Sequence, residues 1–338
     1  MIVIDGSEGE GGGQVLRNAC ALSLVTGEPF TIENVRGKRE KPGLMRQHVT
    51  ALEAACAIGG AACEGLQVGS SRVVFRPGTV KAGEYRFSVG TAGSTGLVLQ
   101  TVLMPLLRAG APSRLVLEGG THNMMAPPFE FITRTFLPII NRMGPTVTAR
   151  LSRHGFYPRG GGRIEVEIEP AALQPIECME RGAQVGQSGE ALFAALDSNI
   201  AHREIAAARK ELSQWPEQAF AIREVPADQG PGTVLLLTAE FAHVTEVVAG
   251  FGRLGFSAEK LGHTAGKRMA GYIASNAVAG PYLQDQLLLP FALAGSGTFT
   301  SVKLSEHTRT SARIIAIFTG RTMQVAEDPS GCRIVNIQ

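Results

Sequence analysis

The sequence predicts an α/β fold built by repetition of one unit, with a smaller α/β domain inserted into the repeated body. Three observations predict it. A strand, a polar junction, a helix and two further strands recur three times along the chain. A stretch of different texture, residues 182–276, separates the second copy from the third. Glycine, 41 of 338 residues, gathers where strands hand over to helices. Length alone suggests about two domains.

The elements follow in order. Met1–Asp5 reads as a strand, and a glycine-rich loop leads from it into a helix ending at Gly27. Pro29–Val35 alternates as a strand, and the junction Arg36–Lys41 follows. A helix is expected from near Pro42, since proline suits a first helical turn. Its stripe is Met45, Val49, Leu52 and Cys56, and Gly59-Gly60 stops it. In the second copy Ser113–Leu117 is the strand and Glu118–Asn123 the junction. Pro127-Pro128 then opens a helix ending near Met143-Gly144, with strands at Thr146–Leu151 and Ile164–Ile168. In the third, the strand Thr298–Leu304, the junction Ser305-Glu306-His307 and the helix Thr308–Phe318 precede strands at Thr322–Ala326 and Arg333–Ile337. The intervening segment holds the single tryptophan, Trp215, helices near His202–Leu212 and Ser257–Ser275, and a strand pair at Phe220–Val225 and Thr233–Ala239. Because the third copy resumes after it, residues 182–276 read as an inserted domain, and 1–181 with 277–338 as the body of three repeats.

Composition removes several classes of function. Thirty-two basic against thirty acidic residues leave +2, neither a polybasic tail protein nor an acidic solvating chain. Any nucleic acid must therefore meet local charge. Five scattered cysteines without a C-x-x-C pair argue against a disulfide scaffold or a structural zinc site. No basic region followed by a long apolar run opens the chain, and the most apolar stretch, Leu97–Leu107, is short of a membrane span. A cytoplasmic protein with no membrane contact is expected, and no obligate protein partner is evident.

Four groups of residues could carry chemistry. The loop Asp5–Gln14 has exposed backbone N–H groups ahead of a helix, as phosphate requires, yet fits neither standard phosphate-loop pattern. Its acids Glu8 and Glu10 could hold magnesium, or could simply be surface acids. Arg36, Lys38, Arg39, Lys41 and Arg46 place five cations within eleven residues. At an expected helix start they oppose the dipole, so an anion is expected to offset them, with Arg17 able to join. Gln100 lies within an apolar helix, and Tyr282-Leu283-Gln284-Asp285-Gln286 interrupts apolar surroundings. These residues could stack on and read a base, or could form a buried amide bond and a turn. His307 occupies the third junction; a neutral imidazole is a competent nucleophile toward phosphorus.

Gly9–Gln14 with Arg17, Lys41–His48, Arg153–Pro158 running into Gly160-Gly161-Gly162, and Asp228–Gly232 together resemble the RNA 3'-terminal phosphate cyclase family over essentially the whole chain. The resemblance implies repeated βαβαββ units with a smaller inserted domain, related to the enolpyruvyl transferase architecture. It implies an ATP-dependent conversion of an RNA 3'-phosphate to a 2',3'-cyclic phosphate through an adenylyl-histidine, with release of pyrophosphate and AMP. His307 takes the nucleophile's place. Glu10 resembles the acid that binds Mg²⁺ or Mn²⁺, and Arg17, Arg36, Arg39 and Gln47 resemble groups around the phosphates and the RNA end. Gln100, Pro127, Phe131, Tyr282, Asp285 and Gln286 resemble the adenosine pocket, with Tyr282 and Pro127 on either side of adenine. Two other readings share the architecture: an RNA-binding assembly factor without the chemistry, against which His307 argues, and an enolpyruvyl transferase.

Overall fold

The protein is described here from a computed structural model covering residues 1–9, 12–329 and 331–338. Its first unit runs β1 (Ile2–Asp5), α1 (Gly13–Thr26), β2 (Phe30–Glu33), α2 (Arg46–Gly59), β3 (Ala62–Glu64) and β4 (Val73–Arg76). The second runs β5 (Glu84–Ser88), α3 (Thr95–Leu106), β6 (Ser113–Gly119), a helix, β7 (Thr146–Arg153) and β8 (Gly162–Glu169). That helix comprises α4 (Phe129–Phe131), a π-turn at Ile132–Phe136 and α5 (Leu137–Arg142). Both units are βαβαββ.

The chain then makes β9 (Glu177–Cys178) before it enters β10 (Gln184–Ala194), α6 (Asn199–Glu211), β11 (Phe220–Glu224), β12 (Gly232–Phe241), β13 (Thr245–Phe251) and α7 (Ala258–Ser275). It resumes with α8 (Leu283–Gln286), α9 (Leu288–Ala294), β14 (Gly297–Ser301), α10 (Glu306–Thr319), β15 (Met323–Glu327) and β16 (Arg333–Ile337). The sheets β1-β2-β4-β3, β5-β6-β8-β7 and β9-β14-β16-β15 share one plan: a parallel pair extended by two antiparallel strands. The fold is therefore mixed α/β, and its repetition lies in topology rather than in sequence identity.

The helices end where the sequence permits. Gly27, Gly60 and Gly320 cap α1, α2 and α10 in the left-handed region, at φ 79°, 54° and 69°. Ser94 and Ser305 cap the starts of α3 and α10 by accepting N–H bonds from Leu97 and Thr308. One helix from each unit, α1, α3 and α10, meets around α1. Phe30 of the first sheet stacks on Phe75 at 5.4 Å and meets Phe318 of α10 edge-on at 6.0 Å, which ties the first unit to the third. Burial of each such ring contributes on the order of 2–3 kcal/mol.

Two expectations need correction. The helix expected from Pro42 begins at Arg46. Arg36, itself at φ 55°, donates through Nη1 to the carbonyls of Lys41 (2.7 Å) and Gly43 (2.8 Å), and Gly43 turns at φ 82°. These bonds hold residues 36–43 as a loop. The strands at 220–225 and 233–239 are not a pair, because β10 lies between them, parallel to β11 and antiparallel to β12. β10 escapes the pattern because its first half, Gln184–Gly189, is polar and partly exposed.

Candidate active site

α1 and α10 lie side by side and in parallel. Gln14 meets His307, and one turn further on Asn18 donates to the Ser311 hydroxyl at 2.6 Å. Gln284, fully buried on α8, fixes the start of α10: its Oε1 accepts from the Ser305 N–H (3.1 Å) and from the Thr308 hydroxyl (2.8 Å). His307 thereby stands exposed in the first helical turn, with Nδ1 2.7 Å from Gln14 Oε1. Gln14 Nε2 donates to Asp285 Oδ2 at 2.6 Å.

This chain fixes a tautomer. A carboxylate only accepts, so Asp285 takes the amide N–H of Gln14. The amide oxygen then faces His307 and also only accepts. Nδ1 therefore carries the imidazole hydrogen, and the lone pair falls on Nε2.

Behind Gln14 opens a small cleft, open to solvent on one side. Leu103, Met104, Phe136 and Leu289 give it an apolar wall, and Gln100 and Gln286 supply amides. Gln286 Oε1 is buried without a hydrogen-bond partner, an acceptor waiting for an N–H. Beside the cleft, buried Phe131 meets Tyr282 edge-on (5.9 Å, 80°), and the Arg268 guanidinium lies 5.5 Å from the Tyr282 ring. Pro127 precedes α4, and its carbonyl lies 3.8 Å from the position a Cβ on Gly96 would take.

A second cluster surrounds the N-terminus of α1, the positive end of its dipole. The Arg39 guanidinium lies over Gly12, with Nη2 2.9 Å from the position of an added Cβ. A Cβ on Gly13 would collide with His48 Nε2 and come within 3.1 Å of Arg17 Nη1. His48 is buried; its Nδ1 accepts the Met45 N–H at 3.0 Å, so the hydrogen resides on Nε2, toward Gly13. Burial, then Arg17 and Arg36, pull its pKa down to about 3, so it is a neutral donor. Burial lowers the Arg17 pKa to about 10 against the pull of Asp285, and its Nε–H is buried without a partner.

Arg17 and Arg39 thus gather beside the Asp285–Gln14–His307 chain. Arg36 folds its own loop, and Gln47 accepts the Ser94 N–H at 3.4 Å, joining α2 to the loop before α3. The dipole argument drawn from the five cations applies only to Arg46, since the other four precede α2. It is instead at the start of α1 that Arg39 and Arg17 gather.

Glu10 lies outside the described residues. Of the other acids in that loop, Asp5 accepts from Ser7 and Asn34, and Glu8 pairs with Arg313. Among the described residues no group of three or more His, Cys, Asp or Glu is arranged for a metal ion. Sequence reasoning gave no role to Gln14, Asn18 or His48, and placed Gln284 in a possible base-reading group, whereas it bonds the start of α10. A signal was present for two of them, because Gln14 and Asn18 are amides four residues apart on an apolar helix.

Among the described residues no helix is long and apolar enough to cross a membrane. The profile of the RNA 3'-terminal phosphate cyclase family matches residues 8–325. A protein of Koribacter versatilis named RNA 3'-terminal phosphate cyclase is 48% identical over 335 residues, 99% of this chain and 94% of that one. Proteins of the same name from Ralstonia nicotianae (45%; 98% of this chain, 96% of that one) and Ectopseudomonas mendocina (44%; 94% and 92%) are also similar. The enolpyruvyl transferase NikO of Streptomyces tendae overlaps with a TM-score of 0.38 at 11% identity, a likeness too loose to argue from; this chain covers 47% of that one, and 99% of its own length is matched. By the extent of the profile match and the identity of these relatives, the chain belongs to the RNA 3'-terminal phosphate cyclase family.

Proposed function

We propose that this chain converts the 3'-phosphate end of RNA to a 2',3'-cyclic phosphate at the expense of ATP, with His307 as the covalent nucleophile. The observation that carries the reading is the Asp285–Gln14–His307 chain, which leaves the Nε2 lone pair for attack at phosphorus without a separate base. Nε2 bonds to the α-phosphorus of ATP as the bond to the bridging oxygen breaks and pyrophosphate leaves. An oxygen of the RNA 3'-phosphate then displaces the imidazole, giving an RNA–adenylate anhydride. Finally the adjacent 2'-hydroxyl attacks the 3'-phosphorus, loses its proton and expels AMP. The first two steps place AMP on the 3'-phosphate as a good leaving group, and the third expels it as the ring closes.

Two groups without partners support this assignment. The exocyclic amine of adenine would supply the N–H that Gln286 Oε1 lacks, with the ring against the apolar wall; Tyr282 and Pro127, which the resemblance sets on either side of adenine, do not line this cleft. A phosphate oxygen would satisfy Arg17 Nε–H, beside Arg39, neutral His48 and the start of α1. Donors fixed in advance around developing phosphate charge are the largest catalytic contribution of most such sites. Arg36 and Gln47 hold the loops that frame this cradle. A divalent ion, Mg²⁺ or Mn²⁺, would be held by Glu10 and would neutralise charge on the triphosphate.

Incubation with ATP, Mg²⁺ and a 3'-phosphorylated oligoribonucleotide tests the reading. The terminal phosphate should become resistant to phosphatase while AMP and pyrophosphate form in equal amounts. An end that stays phosphatase-sensitive under all metal conditions would overturn it.

A further inference from the structure

A second cleft lies outside this site, on the seam between the second unit and the sheet β10–β13. His122, Phe156 and Tyr157 line one side, and Gly232, Thr233 and Phe251 the other. Gly232 permits the close approach, since a Cβ there would strike the Phe156 ring. Tyr157 in the lining is 57% exposed, and two apolar residues close in sequence to the lining residues Met124 and Gly252, Met125 and Leu254, are 83% and fully exposed. Met125 is held outward at φ 70°, a conformation that a non-glycine residue adopts only at a cost. Exposed apolar groups gathered in this way mark a binding surface more often than chance.

Two cations span the seam. Arg159 of the second unit donates to the Gly230 carbonyl at 3.1 Å, and exposed Arg253 reaches back to Met124 Sδ at 3.6 Å while lying 4.6 Å from the Phe256 ring. Lys260 adds a third cation, 5.2 Å from the same ring. Among the described residues no acid lines the cleft itself, and Glu130 sits behind it, 2.9 Å from His122 Nε2. Aromatic faces interleaved with arginine are what single-stranded nucleic acid requires, one for stacking and the other for the backbone.

The surface is continuous with the proposed active site. Gln47 holds the Ser94 N–H, Gly93 packs on Gln47, and Gly160 packs on Thr91 and Ala92 of the same loop. Asn123 bonds the Ala92 carbonyl from the other side. One loop thus separates the phosphate cradle from Tyr157.

We propose that this seam is the shelf for the RNA upstream of its 3' end: a base of an unpaired upstream nucleotide stacks on Tyr157 and Met125, and Arg159 and Arg253 hold its backbone. The inference rests on the cyclase reading for the choice of RNA as ligand. The enzyme would then distinguish a 3'-phosphorylated chain from a 3'-phosphorylated mononucleotide, although the reacting groups are identical.

Binding and turnover separate the two ideas. The binding of a fluorescent, 3'-phosphorylated ten-nucleotide RNA is measured by anisotropy for the wild type, Tyr157→Ala and Arg253→Ala, with a nucleoside 3'-phosphate as competitor. Each variant should bind the oligonucleotide roughly tenfold more weakly, as the loss of one stacked base or one backbone contact implies. The competitor's affinity and adenylylation by ATP should stay unchanged. Equal oligonucleotide affinity in all three proteins would overturn the shelf. So would loss of a self-associated state in Tyr157→Ala with RNA affinity unaltered, which would make the patch a protein interface. A wild type that binds the oligonucleotide through Tyr157 yet never cyclises it would refute the proposed reaction and leave the shelf standing.

Discussion

Gln14 Oε1 lies 2.7 Å from His307 Nδ1, across 293 positions of sequence. One amide thereby decides which nitrogen of the imidazole bears the lone pair. Gln14→Leu keeps the helix and removes this control, so it should slow adenylylation by about 10–100-fold, the usual effect of losing an orienting partner. Gln14→Glu tests the electrostatics. A carboxylate there favours imidazolium, raising the His307 pKa, so the acidic limb of the rate–pH profile should move to higher pH. An unmoved limb and a wild-type rate would remove Gln14 from the mechanism.

Arg36 and Arg39 should separate. Arg36 holds two loop carbonyls, and Arg39 lies over the start of α1. Arg39→Ala should raise KM for 3'-phosphorylated RNA at least about tenfold, as loss of a charged hydrogen bond implies, with little change for a 3'-hydroxyl competitor. Arg36→Ala should instead lower the melting temperature. Equal effects on both RNA ends would make Arg39 a general backbone contact.

Gly13→Ala puts a methyl group into His48, which is buried and has little room to retreat. The cost should be about 1–3 kcal/mol in a denaturant titration, as for other overpacked sites. KM for ATP should also rise. Wild-type stability would mean that His48 turns aside freely.

Glu246 predicts a falling stability profile. Its carboxylate is buried with both oxygens unpartnered, and burial, only partly offset by Arg268, pushes its pKa from 4.5 to about 8. The folded state therefore binds the proton more tightly than the unfolded state. Its contribution is present below about pH 4.5 and is lost as pH rises toward 8. Buried neutral His48 adds stability as pH rises to about 6.5, so the decline should show in melting curves from about pH 6.5 to 8. Glu246→Gln should lessen it, with Glu204, raised by burial to about 7, supplying the remainder. An identical slope in the variant would assign the decline to another group.

Much of the fold was legible because glycine caps and alternation are local signals. Gly27, Gly59-Gly60 and the strands of the second unit, Thr146–Leu151 and Ile164–Ile168, follow directly from them. β10 was not legible, since its polar half lacks strand alternation and owes its strand form to pairing with β12. The start of α2 was misread because Pro42 signals a helix locally, whereas Arg36 captures the carbonyls around it. In the site, His307 and Asp285 could be picked out by residue type and resemblance. The amide joining them could not, because a glutamine on an apolar helix does not announce which distant groups it will meet.

The most direct test of the account is transfer of label from α-³²P-ATP to the protein in the presence of Mg²⁺. The wild type should carry an acid-labile, alkali-stable adenylyl group that maps to the peptide containing His307. That group should pass to added 3'-phosphorylated RNA, and His307→Ala should take up none. Label retained by folded His307→Ala, or a wild type that never takes it up, would contradict the account.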